Sequence, residues 1–160
     1  MFRLVLVLTF LLAFLSAARP EDSKPNIVFI LADDVGQECL GVYGGESYLT
    51  PQLDHLAKTG MRFRHAYSMP TCFPTRLTFL TGKYPFRFGP TKWGAFPRAA
   101  DATTLAQRLR SAGYATAVFG KWQLELLKNR PDHARQLGFQ TSEIWGWHEG
   151  ARYYDPMIYR

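Results

Sequence analysis

The chain has 160 residues, a net charge of +6 and 47% hydrophobic residues, which allows one domain with an ordinary core and no more. Its lysines and arginines are spread along the sequence without a block, which argues against nucleic-acid binding and leaves a mild positive field suited to an anionic substrate. Two cysteines, Cys39 and Cys72, cannot supply a disulfide framework, although a single bridge between them stays open.

Residues 1–18 read as a signal peptide. Arg3 is the positive n-region, Leu4 to Leu15 is apolar, and Ser16-Ala17-Ala18 offers small residues for cleavage after Ala18. The apolar run is short for a membrane span. Export to a periplasm or the medium is therefore expected, with membrane attachment only through an uncleaved signal. Residues 19–25 form a polar linker, and residues 26–160 form the folded part.

Asn26 to Ala32 is a continuous β-branched and aromatic run, the pattern of a strand buried on both faces of a parallel sheet. It ends at Asp33-Asp34. Ligands of open α/β sheets gather outside strand carboxyl ends, and hard divalent cations take carboxylate oxygens. Asp33 and Asp34 are thus candidate metal ligands, against the alternative of a solvated turn. A glycine- and tyrosine-rich loop follows. Thr50 as N-cap and Pro51 at the first position open a helix that Gly60 closes. Met61 to Tyr67 alternates well enough for an edge strand.

Cys72, Pro74 and Arg76 come next. Proline suits a first helical turn, so Cys72 is placed at a helix N-terminus, where amides and the helix dipole favour anions. Arg76 adds a planar cation suited to sulfate, phosphate or carboxylate. From the spacing alone, a buried packing cysteine with a solvated arginine remains open. After Gly82 and an aromatic loop, Asp101 to Ala112 reads as a helix, with Leu105, Leu109 and Ala112 on one face and Gly113 as the stop. Tyr114 to Phe119 reads as a strand, and a helix before it suggests an αβ unit of a parallel sheet. Lys121 then lies just past a strand end, on the same rim as Asp33 and Asp34. Glu125 to Arg135 is helical in tendency, and residues 144–156 form an aromatic cluster, either core or a sugar-stacking platform.

Asn26-to-Asp34, Thr50-Pro51-x-Leu53-Asp54-x-Leu56-Ala57, Cys72-x-Pro74-Thr75-Arg76, Leu80-Thr81-Gly82-Lys83-Tyr84-Pro85 and Gly113-Tyr114-x-Thr116-x-x-x-Gly120-Lys121-Trp122 closely resemble the type I sulfatases of the alkaline-phosphatase-like superfamily, in the family's order. The resemblance implies an α/β fold, with a mostly parallel central sheet flanked by helices, of which this chain is the truncated N-terminal part. It implies hydrolysis of sulfate esters, as in an arylsulfatase or carbohydrate sulfatase. Cys72 would be converted to formylglycine by a separate formylglycine-generating enzyme. One hydroxyl of the hydrated aldehyde would attack sulfur, and the other would later release the sulfate, an exit that a plain serine lacks. Asp33 and Asp34, with the formylglycine oxygen of residue 72, would hold Ca²⁺. Arg76 would orient the formylglycine, and Lys121 would bind sulfate. The substrate would be a sulfated small molecule or polysaccharide.

Three departures stand out. Phe73 occupies a position where the family usually has a small residue. Gln123 replaces a histidine that contacts the formylglycine; it can donate a hydrogen bond but cannot shuttle a proton. Family members are also several-fold longer, so further ligands and leaving-group residues cannot be assigned, and His133 and His148 are not assigned to those roles. Two alternatives remain: a phosphodiester or phosphonate monoester hydrolase of the same superfamily, or an inactive sulfatase-like fragment with open sheet edges.

Overall fold

The computed structural model describes residues 24–98, 104–146, 149 and 154–160. The expected signal peptide, most of the linker, Asp101, His148, Arg152 and Tyr153 lie outside the described residues. The chain divides into two units, Met1–Gly36 and Gln37–Arg160.

In the first unit, the Asn26 to Ala32 run is not a strand. Its side chains lie open, with Val28 83% and Ile30 81% exposed. A strand of a parallel sheet exists only through its neighbours' hydrogen bonds, and strand composition by itself does not make one. The run ends in a bend at Asp33 and Asp34.

The second unit begins with two short 3₁₀ turns, Gln37–Cys39 and Gly41–Tyr43. Helix α1, Pro51–Thr59, follows with Pro51 at its first position and Gly60 at its end. Thr50 does not cap it. Its hydroxyl instead accepts from the Gly41 amide at 2.9 Å and donates to Asp54 Oδ1 at 3.1 Å. Asp54 Oδ1 also accepts from the Val42 amide at 2.7 Å. The Thr-Pro-x-x-Asp pattern thus fastens the 3₁₀ turn onto α1.

The expected edge strand at 61–67 is also absent. That segment is tied down by side chains rather than by a backbone ladder. Tyr43 Oη donates to the Phe63 carbonyl at 2.9 Å, and Arg62 donates to the Val42 carbonyl while lying over the Tyr43 ring at 5.6 Å.

Helix α2, Cys72–Thr81, stops at Gly82, whose left-handed φ of 66° is costly for any residue with a Cβ. Phe73 and Leu77 are one turn apart on its buried face. Helix α3, Leu105–Ser111, starts at Thr104 with a reciprocal capping box to Gln107. Its buried face differs from the expected one: Leu105 is 45% exposed, while Ala106 is buried. Thr104 and Ala106 face inward, and the Thr104 hydroxyl donates to the Leu137 carbonyl, which anchors this face of the helix.

The strand expected at 114–119 is shifted. Strand β1 is Ala117–Lys121, so Lys121 is its last residue. It pairs in parallel with β2, Thr141–Trp145, a strand not expected from the sequence. Between them, Pro131 interrupts the helical tendency of 125–135, and a short helix α4 spans His133–Gln136. The expected αβ unit is α3 followed by β1, and the parallel partner of β1 is reached through the α4 crossover to β2.

The core of this unit joins Phe73 and Leu77 of α2 to Phe96, Trp122, Leu124, Leu127, Ala134, Leu137 and Ile144. Gly138 marks where α3 docks: a Cβ there would come within 2.6 Å of the Gln107 nitrogen. No described helix is long and apolar enough to cross a membrane.

Candidate active site

Cys72 is the first residue of α2. Thr71 precedes it in extended conformation and makes no side-chain cap bond. Pro74 falls at the third helical position and has no N–H. The amides of Cys72 and Phe73 therefore open the helix, beside the Cys72 thiol. Thr75 holds this entry in place. Its hydroxyl lies 3.1 Å from the Met69 carbonyl and 2.8 Å from the Thr71 carbonyl. The sequence names Thr75 within the Cys72-x-Pro74-Thr75-Arg76 motif but not this role, which depends on a loop whose path only the fold shows.

Cys72 and Cys39 are both free thiols. The bridge left open by the sequence is absent, and Cys72 keeps its sulfur for other chemistry.

Four residues apart, Cys72 and Arg76 lie on the same helix flank. Arg76 Nη1 donates to the Lys121 carbonyl at 2.6 Å. A charged hydrogen bond thus ties the helix carrying the thiol to the carboxyl end of β1. Lys121 is half-buried at that end. Pairing continues one residue further, where the Trp122 amide donates to the Trp145 carbonyl at 3.0 Å.

Trp122 anchors the chain as it leaves β1. Its Nε1 donates to His133 Nδ1 at 3.0 Å, and its ring meets the imidazole edge-on at 5.5 Å. His133 is fully buried. Burial, and then the nearby Arg130 charge, lowers its pKa to about 3. It is neutral, with its proton on Nε2, and it is a core residue rather than a ligand.

Gln123 comes immediately after. It is 2% exposed, and its backbone is left-handed at φ 55°. That conformation is uncommon for a residue with a Cβ and clusters at functional positions. Its Oε1 is buried without a hydrogen-bond partner among the described residues.

The second unit therefore brings together Arg76 and the Lys121 backbone by direct contact, with Cys72 one turn away and Gln123 two residues on. Asp33 and Asp34 belong to the first unit. Asp33 is half-buried, and Asp34 is exposed with φ 56°. No group of three or more His, Cys, Asp and Glu side chains converges among the described residues.

Phe73 is 4% exposed and part of the core. The bulky residue beside Cys72 points away from solvent and anchors the first turn.

The sulfatase family model matches residues 25–159. The chain belongs to the sulfatase family. This sulfatase-family chain is 40% identical over 113 residues to human (Homo sapiens) steryl-sulfatase, covering 64% of this chain and 19% of that protein. It is 38% identical over 144 residues to human arylsulfatase D, covering 79% and 24%. To the N-acetylglucosamine-6-O-sulfatase of Bacteroides thetaiotaomicron it is 36% identical over 149 residues, covering 91% and 25%. The crystal structure of Ps i-CgsB matches with a TM-score of 0.65 at 35% identity, covering 78% of this chain and 28% of that one. The parallel β1–β2 pair with its helices fits part of an alkaline-phosphatase-like α/β fold. The chain spans a quarter or less of the length of these curated relatives.

Proposed function

We propose that the chain carries the nucleophile-bearing part of a sulfate-ester hydrolase, and that residue 72 acts as formylglycine. The observation that carries this is the Arg76–Lys121 bond, which fastens the helix bearing Cys72 to the strand end bearing Lys121 and Gln123.

On this reading, residue 72 attacks the sulfur of R–O–SO₃⁻ from the start of α2, beside its first amides. The alcohol R–OH departs; the second hydroxyl then loses its proton as the C–O bond to sulfate breaks, leaving the aldehyde, which water rehydrates. Arg76 sets the orientation of residue 72 through its anchored guanidinium. The Lys121 ammonium neutralises a sulfate oxygen as charge builds up. Gln123 donates a hydrogen bond through Nε2 and keeps the residue 72 hydroxyl oriented without exchanging its proton near neutrality.

The chemistry of Asp33 and Asp34 suits Ca²⁺: two adjacent hard-oxygen donors. They supply part of the roughly six to eight oxygens that the ion takes. The ion would supply positive charge that acidifies the nucleophile and draws in the sulfate oxygens. Residues 1–18 act as an export leader in this proposal, residues 19–25 as a linker and residues 26–160 as the N-terminal part of the catalytic domain. A formylglycine-generating enzyme modifies Cys72 before folding.

The test is the ratio of initial rates on an aryl sulfate and on an aryl phosphate diester, with the protein made in a host that installs formylglycine. The sulfate is expected to react faster. Preference for the phosphate diester would assign the site to the related phosphoester hydrolases, and no reaction with either would point to an inactive sulfatase-like chain.

A further inference from the structure

We propose that the loop between α2 and α3 forms a second anion-binding subsite, which holds another sulfate or carboxylate of a sulfated oligosaccharide. The proposal rests on the sulfate-ester reading above and names its substrate class: a saccharide with more than one anionic group.

The charge pattern is the first observation. Residues 55–98 contain eight Lys or Arg and neither Asp nor Glu. Within that stretch the structure forms a cleft of about 290 Å³, lined by Phe88, Lys92, Phe96 and Arg98 together with Pro90, Thr91, Ala95 and Pro97. No ion pair engages Lys92 or Arg98 among the described residues. A compact ammonium and a planar guanidinium lining one cleft, both exposed, suit a tetrahedral or planar oxyanion. The size suits one sugar ring with its substituent, near the lower end of ligand pockets at roughly 300 Å³.

The cleft has a fixed frame. Lys92 and Ala95 pair across a tight turn, with the Ala95 amide on the Lys92 carbonyl at 3.1 Å. Trp93 therefore stands at the turn's tip, 53% exposed. Phe96 is 4% exposed and holds the floor to the core by meeting His133 edge-on at 5.1 Å. His133 is the acceptor for Trp122, which directly follows Lys121. Two ring contacts thus connect the cleft floor to the strand end at which the sulfate ester is held.

Aromatic faces border the same loop. Tyr84 and Phe86 stack at 5.6 Å with a 10° tilt and are 59% and 72% exposed. Flat rings next to cations suit the C–H faces and charged substituents of a sulfated sugar. An extended nucleic acid would instead call for a continuous basic track with stacking sites spaced along it.

The test is calorimetric binding of a heparin octasaccharide to the full chain at physiological salt, in a Cys72→Ala background so that nothing turns over. Lys92→Ala/Arg98→Ala is compared with Arg108→Ala/Arg110→Ala, which removes the same charge from exposed positions on α3. The cleft pair is expected to weaken binding by roughly tenfold or more, as two lost charge-assisted contacts predict, and the α3 pair by less than about twofold. An octasaccharide both desulfated and carboxyl-reduced is expected not to bind. Equal losses in both pairs, no loss in the cleft pair, or tighter binding of a single-stranded RNA of matched charge through Lys92 and Arg98 would overturn the subsite. Because the readout is binding, failure to hydrolyse aryl sulfates would refute the function proposed above and leave this subsite standing.

Discussion

At the scale of single residues, Gln123 sets what the proposed site could do. Its left-handed backbone and near-complete burial hold one amide group at the end of β1. A buried acceptor without a partner costs about 1–3 kcal/mol, so its Oε1 is kept at a penalty that a ligand hydroxyl would relieve. In the proposed role the amide would orient the residue 72 hydroxyl without titrating. Replacing it with an imidazole supplies a group that changes charge near neutrality. Gln123→His is therefore expected to raise kcat on an aryl sulfate and to add a limb to the pH–rate profile below the ordinary histidine range, because burial at 2% exposure disfavours the charged imidazole. A profile that keeps the parent's shape, with kcat unchanged, would show that position 123 does not act on the reacting group. Phe73 illustrates the opposite case. Read alone, it is an odd neighbour for a nucleophile; folded, it is a core anchor that fixes the first turn of α2.

At the scale of elements, the site is held by contacts between segments far apart in sequence. Arg76 fastens α2 to β1, Gln107 caps α3 and reaches the Gln136 carbonyl of α4 at 3.1 Å, and His133 of α4 receives Trp122 at the β1 end. His133 also makes this arrangement sensitive to acid. Its pKa falls from 6.5 to about 3, chiefly through burial and then through the Arg130 charge. Between those values the unfolded chain binds a proton that the folded chain does not. Stability is therefore constant above pH 6.5 with respect to this residue and falls as pH drops through the window, at up to about 1.4 kcal/mol per pH unit. Chemical denaturation across this range should show that slope, and His133→Asn, which keeps an acceptor for Trp122 without titrating, should flatten it. An unchanged slope in the variant would place the acid sensitivity elsewhere.

At the scale of the whole molecule, legibility depends on how local each signal is. The limits of α1 and α2 are readable because Pro51, Gly60 and Gly82 act on their own backbone. Cys72, Arg76 and Lys121 are named together by motifs ordered along the chain; what the fold adds is the bond from Arg76 to the Lys121 backbone carbonyl. Strands are less readable, because a strand is defined by its partner. Asn26 to Ala32 and Met61 to Tyr67 have strand composition without a ladder. Thr141 to Trp145 is a strand because β1 lies beside it, with Ile144 buried and Thr141 and Glu143 exposed. The Thr50 side chain shows the same limit: its composition suggests a cap, and the nearby Gly41 amide claims its oxygen.

The central claim is that residue 72 is a nucleophile made from cysteine. Its thiol is free, and its helix start is positioned by Thr75 and Arg76. Mass spectrometry of the peptide containing residue 72, from protein expressed with a formylglycine-generating enzyme, tests it most directly. The predicted result is formylglycine at position 72, lost when Cys72 is replaced by alanine. An intact thiol at that position, in a host that modifies other sulfatases, would contradict it.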